Sequence, residues 1–385
     1  MTEKLYYIDS HMAEFSARIL SCEPEKDHFL VTLDKTAFFP EGGGQLPDTG
    51  YIGEARVSDV QEKDGIIYHS CNEYLPLGAQ LPCRIDWAQR RKRMHNHSGE
   101  HIVSGIAHRL YGCENVGFHM GEEAMTIDLS LELSWDELME VEKRANEAIR
   151  KNLPIRAWLP EEDELKTLDY RSKLELTENV RIVEIEGYDL CACCAPHVSF
   201  TGEIGMIKIL DSMRHRGGVR VTLICGEDAY NDYRLRQESV TEISRLLSAK
   251  REDVAGAVQR LLRENQSMRE KCDRLSMELV RVKAEVSTPT DGSICLFDSV
   301  LDDIAQRELV NLLMEKCGAL ACVFCGNDDE GYRYIIGSKS IDLRKNSKTI
   351  NAAIEGRGGG SVQMIQGRAT GMKNLIENNI KSLLL

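Results

Sequence analysis

The feature that most limits the fold lies between Gly226 and Val286, a long charged stretch almost free of proline and glycine. Within it Val254, Val258, Leu261, Asn265, Met268, Cys272, Leu275, Leu279, Val282 and Val286 alternate spacings of four and three. That alternation keeps an apolar seam on one side of a helix for more than four heptads, the pattern of a coiled coil, and Asn265 resembles the polar seam residue that fixes register between paired helices. One long helix is therefore expected to interrupt the chain, and a homodimer through this stalk is expected. The competing reading packs the stripe on its own chain. The turn-rich "STPTDG" at 287–292 ends the stretch.

At 385 residues the chain suits two or three domains, each able to bury a core. Up to residue 90, short alternating apolar runs such as "HFLVTLD", "GIIYHSC" and "LPCRIDW" are broken by Gly, Pro and Asp, which predicts a small β-barrel. From Trp87 the period becomes helical, with Met94, Ile102, Val103, Ile106 and Leu110 available for one apolar face. A second helix follows Ser134, where Ser134 and Glu137 form a capping box, and Pro154 lies beyond its end. Strands return at "VRIVEIEG", "GMIKIL" and "GVRVTLICG". The expected class is α+β, with a barrel-like domain at 1–90, an α+β domain at 91–226, a helical stalk at 227–288 and a C-terminal α/β domain at 289–385.

Hydrophobic residues make up 42% and charged residues 29%, as in soluble globular proteins. No apolar run approaches the roughly 20 residues that span a bilayer, and the N-terminus lacks the pattern of a signal peptide, so no membrane partner and a cytoplasmic location are expected. Thirteen cysteines without an export signal point to thiols or metal ligands rather than a disulfide framework. The net charge of -14 gives no hint of nucleic acid, but residues 333–385 carry nine Lys/Arg against three Asp/Glu, and "RRKR" at 90–93 is a basic run.

In "HNHSGEH", His97 and His101 lie one helical turn apart, so both imidazoles can reach one metal ion. Read as H-x-x-E-H, the same residues suggest a zinc peptidase with Glu100 as base. "CACCAPH" at 191–197 supplies a second pair, Cys193 and His197, with three residues between them, and the two pairs together predict one zinc ion per chain. Cys191 or Cys194 could stand in for Cys193. "CVFC" at 322–325 sits in a strand-like run whose residues three apart face opposite sides, so it is expected in the core. In "TAFFPEGGGQLPDTG", Gly42, Gly43 and Gly44 allow close backbone approach to a ligand or a tight hairpin, and Thr36 and Gln45 can line a small polar pocket.

"TAFFPEGGGQ", "HSGEH" and "CCAPHVSFTGEIG", in this order, resemble the alanyl-tRNA editing proteins of the AlaX family and the equivalent domain of alanyl-tRNA synthetase. Phe39 stands where Tyr is usual, and "CCAPH" where C-G-G-T-H is commoner. "EGRGGGSVQMIQG" at 355–367 resembles the glycine-rich signature of the C-terminal domain shared with DHH-type phosphoesterases, although Arg368 replaces a common Gly and no Asp-His-His motif is present. The long form of the family fits the order of domains.

The resemblance implies zinc-assisted hydrolysis of the ester joining serine, or glycine, to tRNA(Ala). Thr36 and Gln45 would recognise the serine hydroxyl, and the Gly43 and Gly44 amides would hold an oxyanion, carboxyl or phosphate oxygen. Phosphate contacts are expected from Arg90, Arg91, Arg93, Arg214, Arg216 and Arg220, from Lys345, Lys348 and Arg357, and from the backbone of Gly358, Gly359 and Gly360. A tRNA-binding module with a purely structural zinc is the rival to the deacylase.

Overall fold

The structure is a computed structural model that describes residues 1–121, 123–172 and 180–383, and it mixes helices with sheets throughout. It divides into two units, 1–241 and 242–385.

In the first unit the strands Glu14–Glu25, His28–Leu33, Ile66–Cys71, Ala55–Lys63, Gly50–Ile52 and Gln80–Ile85 pair antiparallel in that order and close into a barrel. Closure removes the unpaired strand edges that an open sheet would expose. Ile67, His69 and Cys71 point inward and are fully buried, the period of two that a strand with one wet face requires.

Helix α1, Trp87–Tyr111, leaves the barrel and ends at Gly112, whose left-handed φ of 66° caps it. Helix α2, Trp135–Lys151, starts at the Ser134–Glu137 capping box, with Ser134 N donating to Glu137 Oε2 at 2.7 Å. Both helices pack on an antiparallel sheet ordered Ile207–His215, Gly218–Cys225, Met125–Leu129 and Asn115–Met120. Met94, Ile102, Val103 and Ile106 of α1 join Leu138 and Val141 of α2 and Ile127, Val221 and Leu223 of the sheet in one core. A smaller antiparallel sheet holds Ile155–Trp158, Ile182–Ile185 and Asp189–Ala192, with the single-turn α3, Glu162–Leu165, after its first strand. The boundary at residue 241 falls inside α4, Gly226–Leu246.

The second unit holds α5, Val254–Val286, and a five-stranded sheet ordered Ile294–Asp298, Ala321–Asn327, Gly331–Gly337, Met364–Ala369 and Gly356–Gly360. It also holds α6, Asp303–Leu313, α7, Leu343–Ala353, and α8, Lys373–Ser382. The heptad residues Val258, Leu261, Met268, Leu275, Leu279 and Val282 are exposed, while Val280 and Ala284 cluster with Leu309 and Leu313 of α6. The face of α5 that packs within its own unit is thus offset from the seam. Cys322 and Cys325 are both buried but belong to different core clusters, as their spacing on a strand requires. Among the described residues no helix is long and apolar enough to cross a membrane.

Two residues expected to meet phosphate are interior ties. Arg90 is completely buried: its Nε donates to Asp48 Oδ1 and Oδ2 at 3.1 and 2.9 Å, Nη1 to Ser10 O at 2.9 Å, and Nη2 to Ala37 O and to Asp48. Arg93 donates to Pro47 O, and its side chain keeps only 13% of its exposure. Their basic run opens α1 where the loop at Pro47 and Asp48 crosses it, so the side of the helix that carries Arg90 and Arg93 faces inward while Arg91 stays exposed. Replacing one partner of a buried ion pair strands the other's charge, so Arg90→Met is expected to cost about 3–5 kcal/mol. All three tryptophans, Trp87, Trp135 and Trp158, lie in the first unit. Chemical unfolding of the full chain followed by tryptophan fluorescence reads this loss directly; an unshifted midpoint would contradict it.

Candidate metal centre and cavity

His97 and His101 sit on the buried face of α1, and Cys193 and His197 lie on the loop that follows strand Asp189–Ala192. The four side chains bring one donor atom each to within 4.8 Å of one another. Cys193 Sγ lies 3.5 Å from His97 Nε2 and 3.3 Å from His197 Nε2. Of the three cysteines in "CACC", Cys193 is the one in this group; Cys191 is buried beside His101 and Asp189 in a second, overlapping cluster. Cys194 stands against the glycine turn.

Each imidazole is held from behind through Nδ1. His97 faces Gln45 Oε1 at 2.9 Å, His101 faces Asp189 Oδ2 at 2.8 Å, and His197 faces Ser98 Oγ at 3.0 Å. An acceptor at Nδ1 keeps the proton there and leaves the Nε2 lone pair for a metal ion, the usual outer support of a histidine ligand. Asp189 is fixed in turn by Arg171, whose Nε and Nη2 donate at 2.7 and 3.0 Å.

The electrostatics follow from this crowding. Burial alone would raise the Cys193 thiol, but His97 and His197 beside it hold its pKa well below the usual thiol value. Burial also opposes charge on His101, yet the hydrogen bond with Asp189 holds its pKa well above the ordinary imidazole value. His197, desolvated among the other two rings, is pushed down to about 3. Three imidazole nitrogens and one thiolate, braced by oxygen acceptors, suit a borderline-soft ion such as zinc. A peptidase of the H-x-x-E-H kind would instead need a carboxylate as third ligand.

A cavity of about 390 Å³ opens on these groups. Its wall includes Tyr7, Gly43, Gly44, Glu100, Phe118, Arg171, Arg181 and Cys194 as well as His97, His101 and Cys193. A wider groove of about 830 Å³ along α1 and α2, lined by Arg109, Glu140, Lys143 and Arg144 among others, contains none of the ligands.

Gly42 and Gln45 exchange backbone hydrogen bonds at 3.2 and 3.0 Å across Gly43 and Gly44, whose φ values are 60° and 82°. Two successive positive φ angles define the tight hairpin turn that demands glycine. A Cβ on Gly44 would stand 2.7 Å from the Phe118 ring and 2.8 Å from its carbonyl, and Met120 N donates to Gly44 O at 3.2 Å. The turn is thereby pressed onto strand Asn115–Met120 and brought to the cavity wall.

The other two candidates for the polar pocket lie elsewhere. Thr36 is fully buried in the barrel core, where its Oγ1 meets His69 Nε2 at 2.9 Å and accepts from Phe38 N at 3.1 Å. Gln45 stands behind His97 rather than on the wall, and its Nε2 has no partner among the described residues. Asp189, Ser98 and Arg171 were not legible as site residues. Asp189 precedes Cys193 by four residues, which was a usable signal, but nothing in the sequence ties Arg171 to it.

Of the expected phosphate contacts, Arg91 is exposed and paired with Glu227 at 3.2 Å, Arg214 with Glu132 at 3.2 Å, and Arg220 with Asp128 at 2.6 Å; Arg216 is exposed at a hairpin turn. In the second unit Lys345, Lys348, Arg357, Gly358, Gly359 and Gly360 are all exposed, the last four on the edge strand Gly356–Gly360. The three glycines are not equivalent. A Cβ on Gly358 would stand 2.2 Å from Gln366 O, and one on Gly360 would stand 2.3 Å from Met364 O, so the neighbouring strand itself requires glycine at both places. A Cβ on Gly359 would meet nothing within 4 Å. Packing therefore explains two glycines of the signature and leaves open space beside Gly359. None of the three belongs to the metal centre or its cavity, which lie in the first unit.

Residues 180–222, which contain Cys193 and His197, match the threonyl and alanyl tRNA synthetase second additional domain, and residues 8–89 match tRNA synthetases class II (A). The resemblance read from the motifs is borne out: the chain is similar to an alanyl-tRNA editing protein and to one part of the alanine–tRNA ligases. In particular, it is 27% identical to the alanyl-tRNA editing protein AlaX-L of Pyrococcus horikoshii, over 96% of this chain and 95% of that protein. It is 28% identical to the alanine–tRNA ligase of Methanopyrus kandleri over its whole length but spans only 44% of that enzyme. Against the Pyrococcus furiosus ligase it is 30% identical over 95% of this chain, spanning 42% of that enzyme. A solved structure, the C-Ala domain of Aquifex aeolicus alanyl-tRNA synthetase, matches 25% of this chain and 97% of that one at 16% identity, with a TM-score of 0.20, too low to support a comparison of folds.

The brace behind His101 has a measurable consequence. Asp189→Asn leaves a weaker acceptor at Nδ1, so affinity for added zinc, measured by competition with a chromophoric chelator, is expected to fall about 10- to 100-fold. Unchanged affinity would remove Asp189 from this role.

Proposed function

We propose that this chain is an aminoacyl-tRNA deacylase that hydrolyses the ester joining serine or glycine to tRNA(Ala), correcting misacylation in trans. The observation that carries the reading is the four-donor cluster, His97, His101, Cys193 and His197, set on a cavity in a chain that matches an alanyl-tRNA editing protein nearly end to end. One zinc ion per chain is the proposed cofactor, held by these four residues, and when bound it would supply positive charge beside the ester.

The chain's own residues do the rest. The Gly43 and Gly44 turn presents backbone to the cavity, the place for amides that hold an oxyanion or a substrate oxygen. Tyr7 and Arg181, stacked at 5.0 Å, form another part of the wall, with Arg181 fixed by the Cys193 and Ala195 carbonyls at 3.1 and 2.9 Å. Gln45 steadies His97 from behind through Oε1. Thr36 acts at one remove, by holding the barrel end of the same loop.

The finer assignments belong to the same proposal: a barrel at 1–90, an editing domain at 91–226, a stalk at 227–288 and a tRNA-binding domain at 289–385 in a cytoplasmic homodimer. The exposed heptad residues of α5 support the dimer. The exposed Lys345, Lys348 and Arg357, with the exposed backbone of Gly358, Gly359 and Gly360, support the RNA contact, as do Arg91, Arg214 and Arg216 in the first unit. Gly359, with no neighbour over its Cα, is the place on that strand where a phosphate could come closest to the backbone. A closed set of four protein ligands is also what a structural zinc would show, so a tRNA-binding module without hydrolysis is the rival.

A deacylation assay separates them. Wild-type protein is expected to release serine from Ser-tRNA(Ala) faster than alanine from Ala-tRNA(Ala), and Cys193→Ala or metal-stripped protein is expected to release neither above background. Failure of the wild type to release serine or glycine would leave only the binding module. Each phosphate contact adds up to about 0.9 to the slope of log affinity against log salt, so replacing Lys345, Lys348 and Arg357 by Ala is expected to weaken tRNA binding and flatten that slope by up to about 3. An identical slope would take these residues out of the interface.

A further inference from the structure

An aminoacyl ester carries a charge that ordinary esters lack, the protonated α-amine. Entering this cavity it would meet Arg171, Arg181 and the metal-binding face, all positive or bound to become so, and a cation in such a place needs an anion at contact distance. Asp189 is turned away, engaged by His101 and Arg171. The Cys193 sulfur belongs to the metal ligands. Among the described residues Glu100 is the one carboxylate on the cavity wall.

Glu100 is also fixed in place. It is 3% exposed, and its Oε1 accepts from Ser104 Oγ at 2.7 Å and from Asn115 Nδ2. Those two donors set the carboxylate's rotamer, and Oε2 lies 3.8 Å from His101 Nε2, the nitrogen that faces the metal ligands. In any aminoacyl group the α-nitrogen sits about 2.5 Å from the carbonyl carbon, one intervening carbon away. A carboxylate beside the atoms that flank the ester is therefore within reach of the amine of the same substrate.

We propose that Glu100 is a specificity residue that binds the substrate's α-ammonium group, restricting the site to esters of free α-amino acids and excluding α-hydroxyacyl and N-acylated esters. The assignment rests on the deacylase reading for its substrate but is tested by binding, not turnover. The probes are 3′-(L-serylamino)-3′-deoxyadenosine, a stable amide analogue of the charged tRNA terminus, and its isostere with hydroxyl in place of the α-amine. They are titrated by calorimetry into the zinc-loaded full chain, wild type and Glu100→Gln, with metal content measured on both proteins.

The wild type is expected to prefer the amine by about 10- to 100-fold, the range of a hydrogen bond to a charged group. Glu100→Gln is expected to bind both probes alike, at the affinity the wild type shows for the hydroxyl probe, with its zinc content unchanged. Equal binding of the two probes by the wild type would overturn the proposal. So would a Glu100→Gln protein that weakens both probes equally, or one that loses its zinc, which would make Glu100 a ligand or a structural group. Selective binding of the amine by a protein that never releases serine from tRNA would refute the deacylase reading and leave Glu100 in its role; turnover without amine selectivity would do the reverse.

Discussion

The site depends on a buried ion pair that has no part in the chemistry. Arg90, with no exposure to solvent, ties the first turn of α1 to Asp48, Ala37 and Ser10. Asp48 also accepts from Phe39 N at 2.7 Å, so the same carboxylate anchors the start of the loop that makes the glycine turn. Loop and helix are thereby held in one position relative to each other. That tie, together with the Met120 N–Gly44 O hydrogen bond, holds the loop on which Gln45 faces His97. A charge pair so deep is costly to desolvate, and its worth here is the geometry it imposes rather than stability gained over an apolar contact.

From that frame the four-donor cluster is assembled by three separate parts of the first unit. The barrel loop contributes Gln45 behind His97, α1 contributes Ser98 behind His197, and strand Asp189–Ala192 contributes Asp189 behind His101. No ligand is supported by its nearest neighbour in sequence. The convergence of four donor atoms therefore reports on the packing of the whole unit, and a disturbance in the barrel or in the small sheet would reach the cluster through one of these braces.

How far the residues alone could be read varies with the kind of interaction. Both pairs of the four-donor cluster were legible because each is local: one helical turn separates His97 from His101, and a short loop joins Cys193 to His197. The hairpin of Gly43 and Gly44 was legible as one of two options, since consecutive glycines permit positive φ without requiring it. The second glycine run was legible only as a block, and the strand beside it separates Gly358 and Gly360, which packing requires, from Gly359, which it does not. The basic run misled, because sequence shows that Arg90 and Arg93 are charged but not that Asp48 and backbone carbonyls wait for them inside. Thr36 misled for the same reason, its partner His69 being thirty-three residues away on another strand. The motif suggested Glu100 only as the base of a peptidase, whereas its place on the cavity wall was set by the fold.

The long helix shows the same division in the second unit. Its heptads were plain in the residues, and α5 runs unbroken from Val254 to Val286. That its own unit is met by Val280 and Ala284, leaving the seam exposed, was not. The sequence by itself determined the helical and strand periods, the two His/Cys pairs that converge and the resemblance to alanyl-tRNA editing proteins, because these live in spacings of a few residues. Which charges are buried, which oxygen stands behind each imidazole and which carboxylate faces the cavity were decided only by tertiary structure, since each depends on a contact between segments whose approach no local spacing encodes.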